Sequence, residues 1–195
     1  MYRGFQNINI VMKKIVLFIL LILPVAVLAQ NDVTTFLGIP VDGSKSEFIQ
    51  KLKAKGFTMD YKLNMLTGKF NGSDCFLNIL ENNGKVWRVG VFDKDPKTET
   101  QIKIAFNKLS TQFKNNPKYV EDDNNKMLDE EDQIGFGIRL YHKQYQNSYY
   151  QRSLSNNQGD RNKNVWFLIN EISYGKYIIG IMYDNKYNEA NGEDL

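Results

Sequence analysis

A short amphipathic helix within residues 36–57 is the most completely specified local structure in this sequence. Ser44 and Glu47 have the spacing of a capping box, in which two side chains satisfy free backbone N–H groups at a helix start. Gly56 suits the position after a helix C-terminus, and Phe57 can pack back on the last turn. One face of this helix carries Phe48, Ile49 and Leu52. Such a face has to be buried, so the rest of the chain must supply a surface that covers it.

The segment after this helix predicts three strands. Each strand is separated from the next by a turn signal, and the three occupy residues 65–70, 74–80 and 85–92. Asn71-Gly72 is typical of a tight hairpin turn, which makes neighbouring strands antiparallel. In the third strand Trp87, Val89 and Val91 lie on one face, and we predict that this face points to the core.

A second helix is predicted after Asp95-Pro96. Thr98 and Gln101 repeat the capping-box spacing, and Asn116-Pro117 marks the end of the helix. Its apolar residues recur at helical spacing and are Ile102, Ala105, Phe106, Leu109 and Phe113. The second helix therefore has a longer apolar stripe than the first.

The C-terminal part begins with an acidic loop and then predicts three more strands. The loop spans residues 121–132, and the first strand spans residues 134–145. Residues 146–164 are polar and predict either a long loop or a loosely paired hairpin arm. The last two strands form a hairpin from residues 165–172 and 177–183, and the polar tail from Asp184 is expected to lie along the surface.

This order of elements predicts an α+β domain with an antiparallel sheet of about six strands, arranged as helix, three strands, helix, three strands. We expect the two helices to cover one face of the sheet. The last two strands are nevertheless apolar on both faces, and their second set includes Trp166, Leu168, Ile178 and Met182. The second face must be covered by a loop such as residues 146–164, packed on another sheet, or offered to a partner.

The first 29 residues have the features of a secretory signal peptide. Lys13 and Lys14 precede an apolar run at residues 15–28, and Val27-Leu28-Ala29 before Gln30 fits a cleavage site. The alternative is a membrane anchor, but the run is shorter than the roughly 20 residues that a spanning helix needs. We therefore predict a start at Met12, a leader over residues 1–29 and one globular domain over residues 30–195, exported to the periplasm or the medium.

Loss of the leader changes the charge of the chain. It removes three basic residues (Arg3, Lys13 and Lys14), so that the 25 Lys and Arg residues fall to 22 and balance the 22 Asp and Glu residues. A neutral chain gives no reason to expect a nucleic-acid partner, and we predict no membrane span in the mature form. Cys75 is the only cysteine, so no disulfide can form within the chain.

The sequence contains few residues for catalysis or metal binding. Cys75 lies within a predicted strand, which favours a buried structural thiol, and His142, the single histidine, is expected at the rim of its strand. One His and one Cys cannot form the usual zinc site in a monomer, and we predict no cofactor. The acidic loop offers four possible calcium ligands (Asp122, Asp123, Asp129 and Asp132), but it lacks EF-hand spacing and a solvated turn is favoured.

Aromatic residues are the more informative feature, with 11 Tyr, 12 Phe and 2 Trp. In the predicted strand 134–145, one face carries Arg139, Tyr141, Lys143 and Tyr145. Tyr and Arg are frequent at binding hot spots because they bury area and still form hydrogen bonds. We therefore predict that these four side chains point outward and form a binding surface.

Parts of the chain resemble a group of exported gut-bacterial proteins of unassigned function. The resemblance rests on residues 36–57, the strand at 85–93, and the ending that joins Tyr183-Asp184-Asn185 to Asn191-Gly192-Glu193-Asp194-Leu195. It implies export and a shared fold, and it brings no activity. The helix-and-strands plan is also similar in topology to secreted β-lactamase-inhibitory proteins, from which no residue is carried over.

The function predicted from these features is an exported, non-enzymatic binding or interaction module, inhibitor-like in character, for a protein or glycan partner. The alternative is an extracytoplasmic hydrolase that acts on glycan or peptide through a pair of carboxylates. A flat aromatic sheet face would favour the binding module. A deep pocket with two facing acids would favour the hydrolase.

Overall fold

The computed structural model describes residues 32–190, and it shows a mixed α/β fold with a large antiparallel sheet. The helices are α1 (Lys45–Ala54), α2 (Glu99–Lys114) and α3 (Ile134–Tyr141). The strands are β1 (Thr35–Phe36), β2 (Ile39–Pro40), β3 (Thr58–Asp60), β4 (Met65–Phe70), β5 (Ser73–Asn82), β6 (Lys85–Asp93), β7 (Tyr119–Glu121), β8 (Gln146–Arg152), β9 (Gly159–Ser173) and β10 (Lys176–Asn185). A 3-10 turn follows at Lys186–Asn188. The predicted leader and the Gln30 terminus lie outside the described residues.

Eight of these strands form one sheet in the order β3-β4-β5-β6-β10-β9-β8-β7, and every neighbouring pair is antiparallel. β1 and β2 form a separate two-stranded ribbon. The predicted six-stranded sheet with a repeated helix-and-three-strands order is therefore wrong in both strand number and order. None of the helices within residues 32–190 is long and apolar enough to cross a membrane.

The N-cap at Ser44 and the glycine after the C-terminus are confirmed in α1, but only the Ser44 half of the predicted capping box is formed. Ser44 is the N-cap, and its hydroxyl accepts a hydrogen bond from the backbone N–H of Glu47 at 3.4 Å. At the other end Gly56 has φ of +94°, and the N–H of Phe57 reaches back to the carbonyl of Leu52 at 3.2 Å. A glycine in the left-handed region permits this backbone hydrogen bond, which ends the helix.

The start of α2 carries a complete capping box. Thr98 Oγ1 accepts from the N–H of Gln101 at 3.4 Å, and Gln101 Oε1 accepts from the N–H of Thr98 at 3.0 Å. The stripe predicted for this helix points inward, since Ile102 and Phe106 are almost fully buried. The two capping hydrogen bonds join residues only three positions apart, which explains why the sequence pattern predicted them.

The predicted strands at residues 65–70, 74–80 and 85–92 correspond to β4, β5 and β6, with one correction on β6. Val89 and Val91 are buried as expected, but Trp87 is only half-buried while Val86 is fully buried. The pairing shifts from Leu80↔Arg88 to Glu81↔Val86 and passes over Trp87. This β-bulge turns Trp87 out of the core.

The predicted strand at residues 134–145 is wrong, because residues 134–141 form α3. A side chain at Gly135 would clash with the hydroxyl of Tyr177, and one at Gly137 would clash with the hydroxyl of Tyr145. The two glycines therefore let the helix lie directly on Tyr177 of β10 and on Tyr145, which immediately precedes β8. Glu99 fixes its start, because its carboxylate accepts from the N–H of Ile134 at 2.7 Å and from the N–H of Gly135 at 3.3 Å.

Of the two structures predicted for residues 146–164, the long loop is wrong and the hairpin arm is confirmed, because β8 and the first part of β9 occupy most of this segment and pair antiparallel. The inward side of β8 is partly polar, with Asn147 and Gln151 both buried. Asn147 donates to Ser110 Oγ at 2.9 Å, and Gln151 donates to the carbonyl of Thr35 at 2.8 Å. These partners lie far away in sequence. The polar side chains of β8 therefore gave no local sign that the strand is buried. The predicted surface position of the tail is wrong for Asp184 and Asn185, which belong to β10 and are buried, whereas Lys186 and Tyr187 are exposed.

One apolar core joins the helices to the sheet. The ring of Phe106 lies 4.9 Å from that of Phe167, and Phe113 stacks on Tyr149 at 4.8 Å. Phe48 and Leu52 of α1 are buried in the same core. The buried strand residues alternate along each central strand, which leaves a second set of side chains on the opposite face.

Candidate functional site: the open face of the sheet

The second set of side chains defines a surface that we call the open face. It consists of Phe76, Asn78, Phe92, Trp166, Leu168, Asn170, Ile178 and Met182. All eight are half-buried, and none belongs to the apolar core. Within residues 32–190, the apolar side chains that the helices bury all lie in the core on the other side. Of the three predicted ways to cover this face, a loop at residues 146–164 is excluded for most of its length, because β8 and the start of β9 place that part within the sheet.

At the centre of the open face, two glycines lie next to the ring of Phe92. Gly180 pairs with Phe92 on one neighbouring strand and with Leu168 on the other. A Cβ atom at Gly180 would lie 3.0 Å from the Phe92 ring, and one at Gly90 would lie 2.8 Å from it. The ring of Phe92 thus lies over both glycines. The ring therefore occupies the space that side chains at these two positions would fill.

A charged pair is anchored at one end of the open face. Arg88 donates to both carboxylate oxygens of Asp184, at 2.6 Å from Nε and 2.7 Å from Nη2. Trp166 Nε1 donates to Oδ2 of the same carboxylate at 2.8 Å. The side chain of Asp184 is 1% exposed, whereas that of Arg88 is 22% exposed. Three charge-assisted hydrogen bonds compensate for the desolvation of this carboxylate.

The two tryptophans of the chain lie on either side of Arg88. The guanidinium carbon is 4.2 Å from the ring centroid of Trp87 and 5.3 Å from that of Trp166, which are cation–π distances. Asp184 orients Arg88, and Arg88 in turn holds both rings. The aromatic positions at this end are therefore preorganised by side chains that belong to three different strands.

Asn164 lies next to this pair and is opposite Asp184 in the strand register. Its Oδ1 atom is the one buried side-chain N or O atom in residues 32–190 that has no hydrogen-bond partner. Buried acceptors of this kind are uncommon in folded proteins.

The four side chains predicted as a binding surface do not share a strand face. Arg139 and Tyr141 lie on α3, where Arg139 pairs with Glu171 and Tyr141 is 71% exposed. Lys143 follows the helix, with its ammonium 3.6 Å from the carboxylate of Asp132. Tyr145 is 5% exposed and belongs to the core. The predicted outward direction is therefore wrong for Tyr145. That prediction assumed that side chains alternate between two faces of a strand over residues 134–145, and residues 134–141 form a helix instead.

Cys75 and His142 lie in different environments. Cys75 is 2% exposed, as predicted, and burial followed by the nearby Asp93 carboxylate raises the pKa of its thiol to about 11. The thiol is therefore protonated at neutral pH and is a poor nucleophile. His142 is exposed just after α3 and has a left-handed backbone with φ of 52°.

The carboxylates of the acidic loop bind the loop backbone. Asp122 accepts from the N–H of Asn124 at 3.0 Å, and Asp129 and Asp132 each accept from the other's N–H at 3.0 Å. Hydrogen bonds from the Asn124 backbone and from the Tyr150 hydroxyl lower the pKa of Asp122. In the described part of the chain, no three His, Cys, Asp or Glu side chains are grouped so that they could hold a metal ion.

A cleft of about 200 Å³ lies between α2 and the acidic loop. Its buried amide, Asn147, donates to Ser110 and to the carbonyl of Lys126, and it accepts from the N–H of Lys126. The polar atoms of this amide are satisfied within the protein. The cleft therefore has no free amide atoms of Asn147 for a ligand to bind, and the open face is the better candidate for a binding site.

The fold and the open face define an α+β domain with one large sheet that has helices on one side and a surface of aromatic, aliphatic and amide side chains on the other. No family model, no curated protein and no solved structure matches this chain. The function of the open face has to be inferred from its own residues.

Proposed function

We propose that this protein is an exported, non-enzymatic binding module and that the open face is its binding surface. The observation that carries this proposal is the continuous set of half-buried aromatic and aliphatic side chains across β5, β6, β10 and β9. A soluble domain seldom leaves such a surface to water, and large exposed apolar patches usually mark a site of interaction.

The construction of the surface also supports binding. Arg88 is held by Asp184 and contacts both tryptophans, so these side chains lose little freedom when a ligand arrives. Trp and Arg are also the side chains that most often dominate binding energy. The partner therefore meets a rigid surface.

Export is the second part of the proposal and rests on the sequence of the leader. Lys13 and Lys14, the apolar run at residues 15–28 and the small residues before Gln30 support a cleaved signal peptide. A binding module with this leader would act in the periplasm or outside the cell, on a protein or glycan partner.

The test compares a variant of the open face with a matched control. Leu168→Ser combined with Ile178→Ser changes two half-buried residues of the open face, whereas Ile104→Ser combined with Leu154→Ser changes two exposed residues elsewhere. Each immobilised protein is incubated with solubilised envelope and with spent medium from the native organism. Captured protein and captured carbohydrate are both measured, after circular dichroism has shown that the variants are folded.

We expect the wild type and the control variant to capture the same material and the open-face variant to lose it. Equal capture by all three proteins would overturn the assignment of the binding surface to the open face. Export is tested separately by mass spectrometry of the native protein, where a terminus at Gln30 is expected and an intact Met12 would contradict it.

A further inference from the structure

We infer that the ligand of the open face is an uncharged polysaccharide. This inference rests on the proposed function and specifies the chemistry of its ligand. Three properties of the surface carry it: its charge, the mixture of rings and amides, and its extent across four strands.

The open face carries no net charge of its own. None of its eight side chains is ionisable, and the adjacent Arg88 and Asp184 neutralise each other. At the outer edge Lys94 lies 4.6 Å from the ring of Phe76, and Lys69 pairs with Asp74 at 3.7 Å. A nucleic acid or an acidic polymer requires a row of cations, which this surface lacks. Electrostatic complementarity therefore favours a neutral ligand.

The surface carries both rings and amides. Asn78 and Asn170 lie among Phe76, Phe92 and Trp166, and all five are partly exposed. A sugar ring presents C–H groups on its faces, which pack on aromatic rings, and hydroxyl groups at its edge, which donate to and accept from amides. One ligand can thus satisfy both kinds of side chain.

A second protein surface would satisfy them less well. If another sheet covered the open face, the amides of Asn78 and Asn170 would be buried, and each would need a partner at a fixed position. Hydroxyl groups on successive sugar units can supply such partners at many positions along a chain. The same amides therefore disfavour a second copy of this protein as the occupant.

The shape of the open face suits a polymer. Phe76 lies on β5 and Trp166 on β9, which are separated by three inter-strand spacings in the sheet. At about 4.8 Å per spacing, the rings span roughly 14 Å. In the middle of this path the ring of Phe92 lies over two glycines, so no side chain projects at those two positions. A chain of several sugar units can lie across the strands, whereas a monosaccharide would contact only part of the surface.

Intrinsic fluorescence provides a direct measurement, because both tryptophans of the chain contact Arg88 at the end of this path. The folded protein is titrated with mixed-linkage β-glucan, xyloglucan, galactomannan and amylopectin, and separately with polygalacturonate and heparin. We expect a saturable fluorescence change with at least one of the four neutral polymers. We expect this change to be insensitive to added salt, because no counterions are released.

Variants then locate the binding surface. Trp166→Ala should weaken binding roughly 30-fold, the loss typical of a central aromatic anchor, with Trp87 remaining as the fluorescent reporter. Asn170→Ala should weaken it as well, and this variant replaces Trp166→Ala if the latter does not fold. Tyr61→Ala, which alters an 85% exposed aromatic residue beyond β3, should bind like the wild type.

Four results would overturn this inference. The first is the absence of binding to all four neutral polymers, and the second is binding to the charged polymers alone. The third is a dimer in sedimentation experiments that the Leu168→Ser and Ile178→Ser double variant dissolves, which would show that a second copy covers the face. If the open face captures only protein from the native envelope, the proposed function stands and the polysaccharide inference falls.

Discussion

At the scale of single residues, Asp184 is the most consequential side chain of the site. It is buried on the open face and receives hydrogen bonds from Arg88 and Trp166. Removal of one partner from a buried ion pair is costly because the remaining charge keeps its desolvation penalty without compensation. The main effect of the Arg88–Asp184 pair on stability is therefore that loss of Arg88 would leave the buried charge of Asp184 uncompensated.

We predict that Arg88→Met lowers the free energy of unfolding by about 3 kcal/mol, since it leaves the carboxylate of Asp184 buried without its cation. Trp166→Phe removes one of the three hydrogen bonds and should cost about 1 kcal/mol. Urea unfolding followed by circular dichroism measures both. The combination of Arg88→Met with Asp184→Asn should be more stable than Arg88→Met alone, and the opposite order would contradict an uncompensated charge as the cause.

Tyr141 and Tyr145 are expected to differ sharply although they are close in sequence. Tyr141→Ala should change stability by less than about 0.5 kcal/mol, because Tyr141 is 71% exposed. Tyr145→Ala should cost about 3–5 kcal/mol, because it removes a ring from the core. Thermal melts of the two single variants decide this, and equal melting temperatures would show that Tyr145 is not a core residue in solution.

At the scale of elements, α1 and α2 begin with local caps, whereas α3 depends on distant residues. Gln133 precedes α3 and makes no side-chain capping bond. Glu99, from the first turn of α2, accepts from two N–H groups at the start of α3 instead. A carboxylate is also favoured there by the helix dipole. The order of α3 is thus coupled to the position of α2.

For α1 we predict that Ser44→Ala costs about 1 kcal/mol, because one N–H at the helix start loses its acceptor. Leu52→Ala should cost more, about 2–5 kcal/mol, because Leu52 is fully buried. Denaturant melts that place Ser44→Ala as the more damaging of the two would mean that capping outweighs burial in this helix.

For α3 we predict that Gly137→Ala is destabilising by about 1–3 kcal/mol, although alanine is usually the better helix former. The new methyl group would clash with the hydroxyl of Tyr145. Tyr145→Phe removes that hydroxyl and should restore part of the stability when the two changes are combined. A double-mutant cycle measured by urea unfolding tests this, and strictly additive effects would rule out the clash as the cause.

At the scale of the whole molecule, the core contains several tyrosines whose hydroxyl groups are shielded from water. Burial raises the pKa of Tyr149, Tyr177 and Tyr183, and the pKa of Tyr183 lies well above the ordinary value of 10.0. In the unfolded chain these groups lose their protons near pH 10, whereas the folded protein retains them. Their contribution to stability is therefore complete below about pH 10 and is lost as the pH rises further.

We predict a melting temperature that is nearly constant from neutral pH to about pH 9 and that falls above about pH 10. Tyr183→Phe keeps the ring and removes the titrating hydroxyl, so its melting temperature should fall less steeply in that alkaline range. Calorimetry across the range measures both slopes. A variant that falls as steeply as the wild type would mean that Tyr183 does not contribute to the alkaline loss of stability.

The sequence by itself determined the features that depend on neighbouring residues. The caps at Ser44 and Thr98, the reversal at Gly56 and the hairpin strands β4, β5 and β6 follow from hydrogen bonds and side-chain contacts over a few positions. It also showed that the last two strands are apolar on both faces. The existence of a surplus face was therefore predictable, since alternation along a strand is a local property.

Only the tertiary structure decided how distant segments meet. The helical form of residues 134–141 depends on Glu99, 35 residues before Ile134, and on two tyrosines beneath Gly135 and Gly137. The buried place of Gln151 depends on Thr35, 116 positions away, and the site depends on Arg88 and Asp184, 96 positions apart. A polar or glycine-containing segment has no strong preference of its own, so the partners that satisfy it determine both its conformation and its place in the sheet.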